Sequence, residues 1–166
     1  QYSHEVDIWY FDGLKISRKM PDGPSNRQAW SRHVDLFWKL PASVAILLRL
    51  VIHFRRELAF KRAIVGMGLY HEAGFFPFSS PPQTKVVFTL HDLSVFRFPQ
   101  YHPRERVLYN NLFLKRRCRN VDHFLTDSYF SKKEMITLLN IPEDVITVTH
   151  LSHDETVFFP QSPARG

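Results

Sequence analysis

The order of the short apolar runs limits this chain more than any other feature. Lys85-Val86-Val87-Phe88-Thr89-Leu90, His123-Phe124-Leu125-Thr126 and Val145-Ile146-Thr147-Val148-Thr149 are each the length of a buried strand, and the first is near-continuous in apolar residues, as parallel strands are. Segments of helical periodicity separate them. Arg104 to Arg119 repeats apolar groups at Val107, Leu108, Leu112, Phe113 and Leu114. The next helix begins at Asp127 or Ser128, with Ser131 to Glu134 as a second capping option, and runs through Asn140 until Pro142 stops it. Strand, helix, strand, helix, strand at these lengths predicts an α/β fold, a Rossmann-like parallel sheet with helices on both faces.

The first half is less regular. Val6 to Phe11 reads as a buried strand closed by Asp12-Gly13, and residues 13 to 35, rich in Pro, Gly and Ser, read as a loop with at most a short helix near its end. Ala42 to Lys61 predicts a helix. Val44, Ile46, Leu47, Leu48, Leu50, Val51, Phe54, Leu58 and Phe60 recur at helical spacing, with Arg49, Arg55, Arg56 and Arg62 placed toward the other side. Arg49 interrupts the apolar stretch well short of the roughly 20 residues a bilayer span requires. Such a helix either packs on the sheet with a solvated basic edge or lies on an anionic membrane surface through residues 42–62. Leu69-Tyr70-His71-Glu72 reads as a further short strand leading into an irregular Gly, Phe, Pro and Ser segment.

Composition narrows the functional classes. At 166 residues the chain fits one core, and 15 Phe residues are too many for a disordered chain. A single cysteine, Cys118, excludes an internal disulfide and a thiolate metal cluster; despite Arg116, Arg117 and Arg119 beside it, it reads as a buried structural thiol. The net charge of +6 points to anionic partners, phosphates or lipid head groups. No RNA-binding signature or lysine-rich tail is present, so nucleic acid is not expected as a partner. The opening Gln1-Tyr2-Ser3-His4-Glu5 has neither the basic start nor the apolar run of a cleavable signal and lacks an initiator Met, so the natural sequence is expected to extend before Gln1. A cytoplasmic location, at or near the inner face of a membrane, is the corresponding expectation.

Ligands of open parallel sheets bind beyond the carboxyl ends of the strands, at a switch in strand order. That rule selects His71-Glu72, His91-Asp92, Asp127-Ser128 and His150 to Asp154. A His at the end of a central strand can donate a hydrogen bond from a fixed position to a sugar hydroxyl or phosphate oxygen, with Asp92 orienting it or the backbone. The plain alternative is a satisfied core His and a turn-capping Asp. Ser128 offers its hydroxyl and the free amides of a helix start to an anion, or simply caps that helix. His150, His153 and Asp154 could be read as metal ligands, but a His-Asp that follows a strand does not match metal-dependent phosphohydrolases, and no metal is expected.

Tyr70-His71-Glu72 with its Phe/Pro loop, VVFTLHDLSVFRFPQYHPRER (Val86 to Arg106) and FLTDSYFSKKEMITLLNIPEDVITVTHLSHDETVFFP (Phe124 to Pro160) together resemble the N-terminal, subfamily-4-like domain of group 1 retaining glycosyltransferases, which have the GT-B fold. The resemblance covers about the latter 90 residues in the family's order and spacing. It implies that residues 1–160 form an acceptor-side lobe lacking the family's first strand, and that 161–166 begin a linker to a donor-binding lobe. It implies that His91 and Asp92 face the cleft between lobes at the reaction centre, and that Ser128 and Ser131 match the family's S-x-x-S/T element. Tyr101, His102, Arg104 and Arg106 match its Y-H-P-x-E-R stretch, where Arg104 and Arg106 would hold a phosphate of the acceptor or its lipid carrier unless they serve helix packing, with Glu105 pairing locally. His71 and Glu72 would line the acceptor side, and His150 to Asp154 would sit at the hinge. The implied reaction is transfer, with retention, of a hexosyl-type sugar from a nucleotide-sugar donor to a glycan, polysaccharide or lipid-linked acceptor, with no cofactor. The family's Gly-rich loop and paired-Glu donor lobe have no counterpart here, so the isolated chain is expected to be inactive. A non-catalytic binding or interaction module, or a peripheral membrane-binding domain, is the alternative.

Overall fold

The computed structural model describes residues 6–20, 40–74 and 76–152. Most of the loop expected at 13–35, together with His153, Asp154 and the linker, lies outside the described residues. Four strands, β3 (Leu69–Glu72), β4 (Lys85–Thr89), β5 (His123–Thr126) and β6 (Ile146–Val148), form one sheet in that order, and every neighbouring pair is parallel. Register places Tyr70 opposite Val86, Phe88 opposite Phe124 and Phe124 opposite Ile146, so these side chains share one face. That face is the core. Phe88 and Phe124 pack with Leu114 and Cys118 of α3 (Arg104–Cys118) and with Met135 and Leu139 of α4 (Tyr129–Leu139). Phe60 and Ile64 at the end of α1 (Ala42–Ala63) pack with Tyr70, Phe78 and Val86.

The parallel α/β architecture expected from the sequence is the one adopted. Right-handed crossovers that step the same way across a sheet deliver their helices to the same face, which accounts for α3 and α4 sharing one. The opposite face presents His71, Val87, His123, Leu125 and Thr147, half-buried or exposed, and the order β3-β4-β5-β6 contains no reversal; a second helical layer is not among the described residues. Cross-strand hydrogen bonds join His71 Nε2 to Thr89 Oγ1 (2.8 Å) and His123 Nε2 to Thr147 Oγ1 (2.9 Å) on that face.

Two readings of the first half need correction. Val6 to Phe11 is not a buried strand: only β1 (Tyr10–Phe11) is extended, it pairs antiparallel with β2 (Ile16–Ser17), and Val6 and Ile8 are exposed. The cause is local. Asp12 Oδ1 accepts from the amides of Leu14 and Lys15, both at 2.8 Å, and Gly13 takes a left-handed φ of 104°, so the chain turns back on itself. A Cβ on Gly13 would also lie 2.7 Å from Arg56 Nε.

For α1, the reading of a helix packed on the sheet with a solvated basic edge puts the apolar residues inward and the arginines outward, whereas the structure divides them differently. Val44, Leu47, Leu48, Val51, Phe54 and Leu58 are exposed, while Arg49 and Glu57 face α3. Arg49 Nη2 donates to Glu105 Oε1 (3.0 Å), and Arg117 donates through both terminal nitrogens to the carboxylate of Glu57 (2.8 and 2.5 Å). Glu105 therefore pairs across to α1 rather than locally. Arg97, on α2 (Ser94–Arg97), likewise reaches the buried Glu134 of α4 at 2.7 Å. A carboxylate without a partner in such positions costs several kcal/mol, so the positions of these acids dictate where the arginines point. Cys118 is buried, and burial pushes its thiol up to about 12, which fits an inert structural residue.

Candidate functional site

A cleft of about 840 Å³ opens where β3 and β4 end, walled by α1 on one side and by α2 and α3 on the other. Glu72, His91, Asp92 and Arg106 all line it. They come from three separate stretches of sequence, gathered because parallel strands deliver their carboxyl ends to a single edge of the sheet.

His91 stands two residues beyond the end of β4 and is anchored from two directions. Its carbonyl accepts from Ser131 Oγ (2.9 Å), and its Nδ1 lies 2.7 Å from Asp127 Oδ2 at the end of β5. Hydrogen bonding to the Asp127 carboxylate raises the His91 pKa above its ordinary value, against a smaller desolvation effect, with further support from the Ala73 carbonyl. The carboxylate thereby fixes the orientation of the ring and favours its hydrogen-bond-donating form. His150 extends this rim: its Nδ1 is 3.1 Å from the Asp127 carbonyl, and its ring meets Tyr129 edge-on.

Asp92 both lines the cleft and caps its floor. Its Oδ1 accepts from the Ser94 amide at 2.8 Å, and bonding to Ser94, with the nearby charges of Arg106 and His102, holds its carboxyl below the ordinary range. Glu72 has both oxygens occupied, one by the Tyr70 hydroxyl (2.5 Å) and one by the Gly74 amide (2.8 Å), so it braces the turn that leads out of β3.

The remaining candidates lie elsewhere. His71 points to the other face of the sheet, against Thr89. Tyr101 is exposed beside Phe98, and Arg104 is exposed outside the cleft, while His102 approaches it only through its charge on Asp92. Ser128 caps α4 by accepting from the Ser131 amide (3.1 Å) and donates to Ser131 Oγ (3.1 Å). Ser128 and Ser131 thus act on the cleft indirectly, through the backbone of His91.

Sequence reading missed one whole wall. Arg49, His53 and Arg56 of α1 line the cleft, and Tyr109 and Asn110 of α3 face them. The spacing 49, 53, 56 is i, i+4, i+7 and puts the three on one helical stripe, a signal hidden because the arginines were treated as a single solvated face. Arg49 sits 5.4 Å above the Tyr109 ring, and Arg56 lies 5.6 Å from the Phe78 ring, which also stacks on His53 at 5.5 Å. Burial, the largest influence, lowers the His53 pKa below the ordinary histidine value, against the nearby Glu57 carboxylate, which raises it. The cleft therefore combines an aromatic floor, guanidinium groups and a carboxylate-held imidazole. Such a lining suits a ligand that carries hydroxyls together with a negative charge.

The family model of Glycosyltransferase Family 4 matches residues 3–156. The O-antigen chain mannosyltransferase B of Escherichia coli is 40% identical over 80 residues, which are 48% of this chain and 21% of that protein. The match thus spans about a fifth of that relative's length. No solved structure matches the chain significantly. With nearly the whole chain covered by the family model, the protein belongs to glycosyltransferase family 4.

Proposed function

We propose that this chain is the acceptor-side lobe of a cytoplasmic glycosyltransferase that moves a hexosyl-type sugar, with retention, from a nucleotide-sugar donor to a glycan or lipid-linked acceptor. The observation that carries the reading is the placement of His91, locked by Asp127, with Asp92 and Arg106 on the wall of one cleft, in a chain of this family. His91 would contact the transferring sugar and Asp92 would shape the cleft beside it. Arg106, joined by Arg49 and Arg56, would hold an anionic group of the acceptor. The donor diphosphate would be held by a second lobe, and no resident metal or cofactor is invoked. Orientation of the acceptor hydroxyl and stabilisation of the leaving diphosphate then supply most of the rate.

The test is His91→Ala in the enzyme that carries both lobes, assayed with nucleotide sugar and acceptor. A fall in kcat of about ten-fold or more, with an unchanged circular dichroism spectrum, is expected for a transition-state contact. Unchanged kinetics would remove His91 from the site and leave the cleft without its proposed centre.

A further inference from the structure

The outward face of α1 has the composition of an interior. Val44, Leu47, Leu48, Val51, Phe54 and Leu58 form a stripe along four turns, with Leu47 64% and Phe54 70% exposed. Exposed Arg55 and Arg62 rise from this same side of the helix, and exposed Lys61 stands at its edge. The only acid of the helix, Glu57, is turned inward to Arg117, 2.5 Å away at its closest, and Lys61 reaches it only loosely at 3.9 Å. Contiguous apolar surface of this kind marks an interaction site rather than a solvated face.

We propose that α1 docks on an anionic bilayer surface, inserting this stripe between head groups while Arg55, Lys61 and Arg62 pair with lipid phosphates. Charge selects this occupant. The face carries cations and no acid, and the whole chain has a net charge of +6, so it is complementary to anionic lipid. Its shape agrees, because a stripe one helix wide and about 20 Å long is what an interfacial helix inserts. A stable second copy would need roughly 800 Å² on each partner. No helix among the described residues is long and apolar enough to cross a membrane, and α1, broken by Arg49, Arg55 and Arg56, would lie along the surface. The opposite side of α1 walls the cleft through Arg49, His53 and Arg56. Docking would therefore place the cleft within about one helix diameter, 10–12 Å, of the head groups.

The experiment is co-sedimentation of the full chain with vesicles of phosphatidylglycerol and phosphatidylcholine in equal parts, and with phosphatidylcholine alone. The wild type should sediment with the mixed vesicles at about 0.1 M salt. Its binding should fall at least ten-fold at about 1 M salt, where the Debye length shrinks from about 10 to about 3 Å. Leu47→Ser combined with Phe54→Ser should lower binding at least ten-fold, while the exposed Leu112→Ser on α3 should not. Wild-type protein that stays in the supernatant, or a double variant that sediments like wild type, would overturn the proposal. So would a wild-type dimer in size-exclusion chromatography that the double variant converts to monomer, since the stripe would then belong to a second copy. Binding is read without turnover, so its outcome is independent of the transferase reading.

Discussion

Among single residues, Asp127 governs more of the site than its neighbours. Its carboxylate holds His91 Nδ1 at 2.7 Å, and its backbone carbonyl meets His150. Bonding to Asp127 raises the His91 pKa, so this interaction stabilises the fold fully below the ordinary histidine value of about 6.5 and is lost as pH rises through the higher folded value. We expect Asp127→Asn to bring the His91 titration back down, read from its ring proton shifts by NMR. An unshifted titration curve would show that the carboxylate does not control the ring. Phe88 makes the contrasting case of a residue with no chemistry. It is fully buried at the centre of the sheet, opposite Phe124, so Phe88→Ala should cost about 3–5 kcal/mol in chemical denaturation. A loss under 1 kcal/mol would mean that the core closes over the gap.

Between elements, arginine-carboxylate pairs fix the helices against one another. Glu57 of α1 and Arg117 of α3 join at 2.8 and 2.5 Å, with Ser79 and His53 completing the group. Burial raises the Glu57 carboxyl, but the bonds from Arg117 and Ser79 and the charge of Arg117 outweigh it and hold the value down at about 2. A depressed carboxylate stabilises the fold above its unfolded value of about 4.3, and that contribution disappears as pH falls through 2. The shift corresponds to on the order of 3 kcal/mol near neutral pH. Arg117→Met should therefore cost about 3–5 kcal/mol, because it strands a buried charge, and should flatten the acid limb of the stability profile between about pH 4 and 2. Adding Glu57→Leu should restore part of the loss, as both charges are then gone. A double variant no more stable than the single would mean that the pair is not the linkage. These pairs also explain what the sequence concealed. Helix 42–63 was legible in its length, but its facing was not, because the partners it meets, Glu105 for its Arg49 and Arg117 for its Glu57, stand 56 and 60 residues away in sequence. Strands β3 to β6 were legible because alternation and β-branching act locally. Val6 to Phe11 misled for the same local reason, since the Asp12-Gly13 turn outranked apolar content.

For the molecule as a whole, the cleft is where distant pieces of sequence meet, and only part of it could be anticipated. The strand-end rule located Glu72, His91 and Asp92, whereas the wall from α1 depended on how a helix rolls against α3, a property of packing rather than periodicity. That wall has a consequence for the entire fold. Arg49, Arg56 and Arg106 line the same cleft, so an anion bound there favours the folded state and must raise stability by mass action. Inorganic pyrophosphate is a suitable probe, as it brings the negative charge of the proposed acceptor's phosphate without any sugar or lipid. At about one hundred times its Kd it should add about 2.7 kcal/mol, a rise of roughly 5 to 10 °C in Tm for a chain of this size. Arg56→Ala and Arg106→Ala should each weaken the rise, and high salt should suppress it, as expected for screened charge. Lys133→Ala, exposed on α4 outside the cleft, should leave it unchanged. If the Lys133 variant lost the rise as fully as the Arg56 and Arg106 variants, the effect would come from net charge alone, and the cleft would not be a phosphate-binding site.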